Sequence, residues 1–106
     1  MKKDQKINKI ALVTGASRGI GAAIALDLAK NNMFVIGTAT SDNGVKKIEE
    51  SFKASQQRGV GLVLNVKDNK SIETLISNIE ENYGDIDILI NNAGVTRDNL
   101  LMKMKE

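Results

Sequence analysis

Thr14-Gly15-Ala16-Ser17-Arg18-Gly19-Ile20-Gly21 follows the apolar run Ile10-Ala11-Leu12-Val13 and opens a segment with helical spacing. A strand that turns through glycines straight into a helix presents free backbone N–H groups and the positive end of a helix dipole. That is a seat for a phosphate or pyrophosphate. The glycine spacing is G-x-x-x-G-x-G rather than the common G-x-G-x-x-G, so the strand before it and the helix after it carry the weight of the reading. The competing reading is a tight turn with close helix–sheet packing and no ligand. Gly15 allows the sharp exit from the strand, while Gly19 and Gly21 let backbone approach a ligand and the helix approach the sheet.

Outward from this turn the chain alternates. Lys9–Val13 reads as a buried strand, short and wholly apolar after its first residue. From Gly19 to about Asn31 the spacing of Ile20, Ile24 and Leu28, with Ala23, Ala25 and Ala29 between them, predicts a helix whose alanines let it lie close on a sheet. Asn31-Asn32 is a left-handed stop. Met33–Thr38 is a second strand, Ser41-Asp42-Asn43-Gly44 reads as a turn, and Val45, Ile48 and Phe52 mark a second helix with Glu49 and Lys53 paired on its exposed side. Val60–Val66 is a third strand, and Asp68 or Ser71 caps a third helix whose apolar face is Ile72, Leu75, Ile76, Ile79 and Tyr83. Gly84 closes that helix, Ile86–Ile90 is a fourth strand, and a further helix starts at Leu100.

Apolar strands alternating with amphipathic helices predict an α/β fold with a parallel sheet covered on both faces. It is the first half of a Rossmann-type doubly wound sheet: four strands, three helices and the start of a fourth, with the glycine turn at the switch point. In that order the fourth strand lies beside the first with its other side bare, a hydrophobic edge prone to aggregation. The expectation is therefore a piece of a larger domain: residues 1–8 as a basic, solvated leader and residues 9–106 as the N-terminal part of one dinucleotide-binding domain.

Composition narrows the chemistry. With 106 residues, 42% of them hydrophobic and 26% charged, the chain supports at most one globular domain. A net charge of +2 with no basic stripe gives no case for nucleic acid. The chain has no cysteine and no histidine, so a disulfide framework, a thiolate metal site and a histidine base are excluded, and no metal site is expected. The basic leader Met1-Lys2-Lys3-Asp4-Gln5-Lys6 is not followed by an apolar stretch of signal-peptide length, and no run is long enough to span a membrane. The default expectation is a cytoplasmic protein.

The end of the second strand bears on the cofactor. An NAD site usually carries Asp or Glu there to bond the ribose 2′-OH. Here the residues are Gly37-Thr38-Ala39-Thr40-Ser41, and the first carboxylate is Asp42 in the predicted turn. Arg18 sits inside the glycine loop, where a guanidinium clamps a 2′-phosphate with two donors, and the hydroxyls of Thr40 and Ser41 accept the same group without repelling it. A solvated loop arginine is the plainer reading of Arg18. On balance NADP(H) is favoured over NAD(H).

Thr14–Gly21 together with Asn91-Asn92-Ala93-Gly94 resembles the short-chain dehydrogenase/reductase family in order, spacing and context. More narrowly, Gly37–Gly44, Leu64-Asn65-Val66 and Thr96–Lys105 resemble the family of 3-oxoacyl-[acyl-carrier-protein] reductases of bacterial fatty acid synthesis. The resemblance implies that Gly15, Ala16, Ser17 and Arg18 hold the NADPH phosphates beside Gly19, Ile20 and Gly21, with Thr40 on the adenosine 2′-phosphate. It implies that Asn65 and Val66 flank the adenine, Asn65 standing where many relatives have Asp. Asn92 and Gly94 line the nicotinamide-side ribose. For Asn91 and Asn92 the alternative is a structural network at the strand end.

The same resemblance implies chemistry that this sequence lacks. The family's Tyr-x-x-x-Lys pair, in which tyrosine is the general acid and lysine lowers its pKa, has no match. The single tyrosine is Tyr83, four residues on stands Asp87, and core packing is the expected role of Tyr83. No catalytic residue is assigned. The reading is the cofactor-binding half of an NADPH-dependent reductase acting on an acyl carrier protein thioester, inactive alone, with a homotetramer implied for the full-length enzyme only. The alternatives are a family member with another alcohol or ketone substrate, and a non-catalytic NADP-binding fragment.

Overall fold

Parallel strands buried on both faces need apolar side chains at every position, and β1 (Lys9–Thr14) has them from Ile10 to Val13. The computed structural model describes residues 9–65 and 67–93. In chain order β1 is followed by α1 (Gly19–Lys30), β2 (Met33–Ala39), α2 (Asp42–Ala54), β3 (Gly59–Val63), α3 (Asn69–Asn82) and β4 (Ile88–Asn91). All strand pairs are parallel and the sheet order is β3-β2-β1-β4, the first half of the doubly wound arrangement. The register sets Val13 beside Gly37 and beside Ile90, so the carboxyl ends of β1, β2 and β4 finish together.

The two faces of the sheet differ in grain. Strand alternation sends Ala11, Val13, Val35 and Ala39 to one face, where Ala25 and Ala29 of α1 and Ile48 and Phe52 of α2 cover them. Leu12, Ile36 and Leu64 go to the other, under Ile72, Leu75, Ile76 and Ile79 of α3. Small residues line the first face. A Cβ on Gly37 would lie 2.9 Å from that of Ala16, and one on Gly61 would lie 3.0 Å from Val45. The α1–α2 layer therefore sits tight on the strands.

Several expectations shift in detail. The face of α1 turned to the sheet is Gly21, Ala25 and Ala29, not the Ile20–Ile24–Leu28 stripe: Ile20 is 73% exposed and Ile24 and Leu28 are half-buried on the flank. Close packing selects the small residues for the contact. The helix does end at Asn31, with Asn32 left-handed at φ 67°. Ser41-Asp42-Asn43-Gly44 is not a free turn but the cap and first turn of α2, the Ser41 hydroxyl accepting the Gly44 N–H at 3.2 Å.

β3 ends at Val63, earlier than Val66. The Leu64 N–H still reaches the Ala39 carbonyl at 2.9 Å, and then Asn65 turns the chain, its side-chain oxygen accepting the Lys67 N–H. Asp68 is the cap of α3, while the Ser71 hydroxyl accepts from the Asn65 N–H. β4 begins at Ile88 rather than Ile86, although the Asp87 N–H already bonds the Ile10 carbonyl at 2.9 Å. Its three isoleucine and leucine positions are only half-buried, as expected of an outermost strand. Glu49 takes the Gly61 N–H with its carboxylate rather than serving simply as the surface partner of Lys53.

Tyr83 is not a core residue. It forms the C-cap of α3, is 37% exposed, and stacks on Phe34 with ring centroids 5.2 Å apart. Gly84 follows at φ 121°, closing the helix as expected. The leader, the helix expected from Leu100, Val66 and Gly94 lie outside the described residues. Among those described, no helix is long and apolar enough to cross a membrane.

Candidate cofactor site

The carboxyl ends of β1, β2 and β4 meet around the glycine loop, and three side chains stitch them together. Thr14, fully buried, donates its hydroxyl to the Asn91 side-chain oxygen at 3.1 Å and accepts the N–H groups of Asn92 at 2.9 Å and Ala93 at 3.0 Å. Asn92 in turn donates its side-chain amide to the Gly15 carbonyl at 3.0 Å. From β2, the Thr38 hydroxyl accepts the Gly15 N–H at 3.1 Å and the Thr38 carbonyl accepts the Ala16 N–H at 2.8 Å. These bonds answer the polar groups that a turn buried between strands would otherwise leave bare.

The glycines divide their work. Gly15 takes φ 68°, a left-handed turn, and a Cβ on it would press within 3.3 Å of Ala93 and Asn92. Gly19 also takes a positive φ, 64°, but nothing lies within 4 Å of where its Cβ would stand. That face is open. Arg18 is the extended N-cap of α1, its side chain makes no capping bond, and no acidic residue occupies the first turn. The first turn therefore keeps its N–H groups and its dipole end for an anion.

Beside this turn lies a cleft of about 250 Å³ lined by Gly15, Ser17, Arg18, Thr38, Ala39, Thr40, Leu64, Asn92 and Ala93. Of the expected residues, Gly15, Ser17, Arg18, Thr40 and Asn92 line it together. Ala16 does not: its side chain is buried against Gly37 and its N–H is spent on Thr38. Gly19 and Ile20 stand exposed at the start of α1, and Gly21 is buried beneath it. Asn65 is exposed one residue beyond the lining Leu64.

Arg18 is the one charged side chain among the lining residues, and none of them carries a carboxylate. Ser41 has turned its oxygen to the cap of α2, so that of the two hydroxyls expected at a 2′-phosphate, Thr40 is the one that lines the cleft. Sequence reasoning missed Thr14 and Thr38 as parts of the site. Their signal is a hydroxyl at the carboxyl end of a strand that is otherwise apolar and buried, where only a paired polar group is tolerated.

Residues 9–106 match the short chain dehydrogenase family. The chain belongs to that family. It is 59% identical over 98 residues to the 3-oxoacyl-[acyl-carrier-protein] reductase FabG of Haemophilus influenzae, a match covering 92% of this chain and 39% of the relative. Against proteins of the same name the identity is 58% for Escherichia coli (strain K12) and 53% for Pseudomonas aeruginosa, again over 98 residues. The chain thus spans about two fifths of the length of these curated relatives. As a short-chain oxidoreductase family member it is of the kind that uses a nicotinamide nucleotide, and the uncapped turn beside an acid-free cleft fits such a dinucleotide.

Proposed function

We propose that this chain holds NADPH for the reduction of a 3-oxoacyl-[acyl-carrier-protein] thioester to the 3-hydroxyacyl product. The observation that carries the cofactor reading is the charge of the cleft. Arg18 is its one charged lining side chain, and Thr40 stands after β2 in the region where an NAD site places a carboxylate. A 2′-phosphate gains paired donors from the guanidinium and a hydroxyl from Thr40, and meets no acidic side chain among the lining residues.

The remaining expected contacts complete the seat. The first turn of α1, with Gly15 to Gly21, takes the pyrophosphate; Asn65 and Val66 flank the adenine; Asn92 and Gly94 line the nicotinamide-side ribose. Bound NADPH supplies a hydride, and the residues of this chain bind and orient it. The substrate reading rests on the 53–59% identity to proteins named as 3-oxoacyl-[acyl-carrier-protein] reductases. The setting is cytoplasmic, and a homotetramer is proposed for the full-length enzyme alone.

No residue of this chain is proposed to deliver the proton. Its single tyrosine, Tyr83, has Asp87 four positions on and is occupied by stacking on Phe34. The 106-residue chain is therefore expected to bind NADPH more tightly than NADH in calorimetry and to show no oxidation of NADPH with an acetoacetyl thioester. Equal affinity for the two nucleotides overturns the NADP reading, and turnover by the purified chain overturns the assignment of a cofactor-holding piece.

A further inference from the structure

We infer that Thr38 is a positioning residue: it clamps the glycine loop from the neighbouring strand and so keeps the nucleotide seat formed before any nucleotide arrives. The inference rests on the cofactor reading above for its binding consequence, and on geometry alone for the clamp.

Two consecutive amides of the loop are tied to one residue of β2. The Gly15 N–H goes to the Thr38 hydroxyl at 3.1 Å and the Ala16 N–H to the Thr38 carbonyl at 2.8 Å. Gly15 is the residue with φ 68° at which the chain leaves β1; its carbonyl is held by the Asn92 amide, and its N–H is held by Thr38 alone. The carbonyl bond to Ala16 survives any side chain at position 38. The hydroxyl bond does not, and it is the one that fixes the Gly15 peptide. That peptide's orientation sets where Ser17 and Arg18 follow, both of which line the cleft with Thr38 itself.

Thr38 is only 1% exposed, among the few polar side chains at full burial, so water does not readily replace its oxygen. A donor left bare in such a place disfavours the conformation that buries it. Without the hydroxyl the loop has reason to leave its nucleotide-ready form, and a ligand then binds only through the fraction still in that form, weakening its apparent affinity in proportion. β-branching alone, which Val shares with Thr, does not supply this bond.

The test compares the wild-type chain with Thr38→Val, which keeps the shape and removes the oxygen, and Thr38→Ser, which keeps the oxygen and removes a methyl. Amide hydrogen exchange at Gly15 without nucleotide reads the clamp directly, and calorimetric titration with NADPH reads its consequence. We expect Gly15 to be protected in the wild type and in Thr38→Ser, and to exchange at least about tenfold faster in Thr38→Val, with NADPH affinity falling by roughly tenfold in the Val variant only. Unchanged Gly15 protection in Thr38→Val overturns the clamp. Changed protection with unchanged affinity overturns the binding consequence. If Thr38→Val does not fold, exposure of the Gly15 amide in a folded Thr38→Ser, which retains the acceptor, overturns the proposal, and retained protection there supports it. A wild-type chain that ignores NADPH refutes the cofactor reading and the binding consequence while the exchange result still decides the clamp.

Discussion

Gly21 in the first turn of α1 lies so close to the Gly15 carbonyl that a Cβ at position 21 would come within 2.0 Å of that oxygen, and within 2.7 Å of the Asn92 side-chain nitrogen that bonds it. The helix start, the strand exit and β4 thus converge on one point that admits no side-chain atom. Gly19, two residues earlier, has open space where its Cβ would be. One glycine serves packing and the other leaves room.

Gly21→Ala is therefore expected to force α1 away from the Gly15–Asn92 bond. Neither obstacle can simply swing aside, one being backbone and the other held by that bond. Overpacking of this kind costs about 1–3 kcal/mol, and a backbone overlap belongs at the upper end. Thermal or urea unfolding of the variant checks it. Gly19→Ala meets no such wall and its penalty is that of a positive φ alone, so it should be the milder of the two.

Arg18 separates the two nucleotides. Arg18→Ala should weaken NADPH binding by about tenfold or more and leave NADH nearly unchanged, since a charge-assisted bond to a phosphate contributes roughly 1.5–3 kcal/mol. The NADPH affinity of the wild type should also fall with added salt more steeply than that of the variant. Titrations of both nucleotides at two ionic strengths give the answer, and equal losses for NADPH and NADH would place Arg18 off the 2′-phosphate.

The element order, the parallel sheet and the glycine turn follow from the sequence because apolar strands, small-residue helices and cap residues all point the same way. The deviations have local causes. α1 is apolar nearly all round, so spacing alone could not say which side meets the sheet, and packing chose Gly21, Ala25 and Ala29 over the isoleucines. Ser41 to Gly44 has turn composition and helix-cap composition at once, and the Ser41 bond to Gly44 decides for the cap. In the site, Arg18, Thr40 and Asn92 stood out as polar residues in loops. Thr38 did not, because a threonine inside a strand reads as strand former, and Thr14 reads as the opening residue of the glycine motif; only the buried hydroxyls, seen to bridge two chain segments, show their part.

Thr14 is the corresponding bridge between β1 and β4. Thr14→Val removes the acceptor shared by the Asn92 and Ala93 N–H groups and the donor to Asn91. Each amide left without a partner costs about 1–3 kcal/mol, so the variant should be among the least stable single substitutions in this half-domain. Thr14→Ser keeps all three bonds and loses only a methyl. Comparing the unfolding midpoints of the two variants isolates the hydroxyl, and near-identical midpoints would show that the bridge is dispensable.

Glu49 guards the opposite border of the sheet. β3 is an outer strand, and its Gly61 N–H faces away from β2, where another chain could pair with it; the Glu49 carboxylate, reaching from α2, occupies that donor at 3.1 Å. An occupied donor cannot recruit a foreign strand, and a charge on the border opposes one. Glu49→Ala should lose about 1 kcal/mol of stability and aggregate faster at matched concentration, whereas Glu49→Gln retains an acceptor but not the charge and should fall between. Light scattering below the unfolding midpoint reads the order. The half-buried β4 border is the same in all three proteins, so any difference among them belongs to β3; equal rates would mean that aggregation starts at β4 and that Glu49 protects nothing.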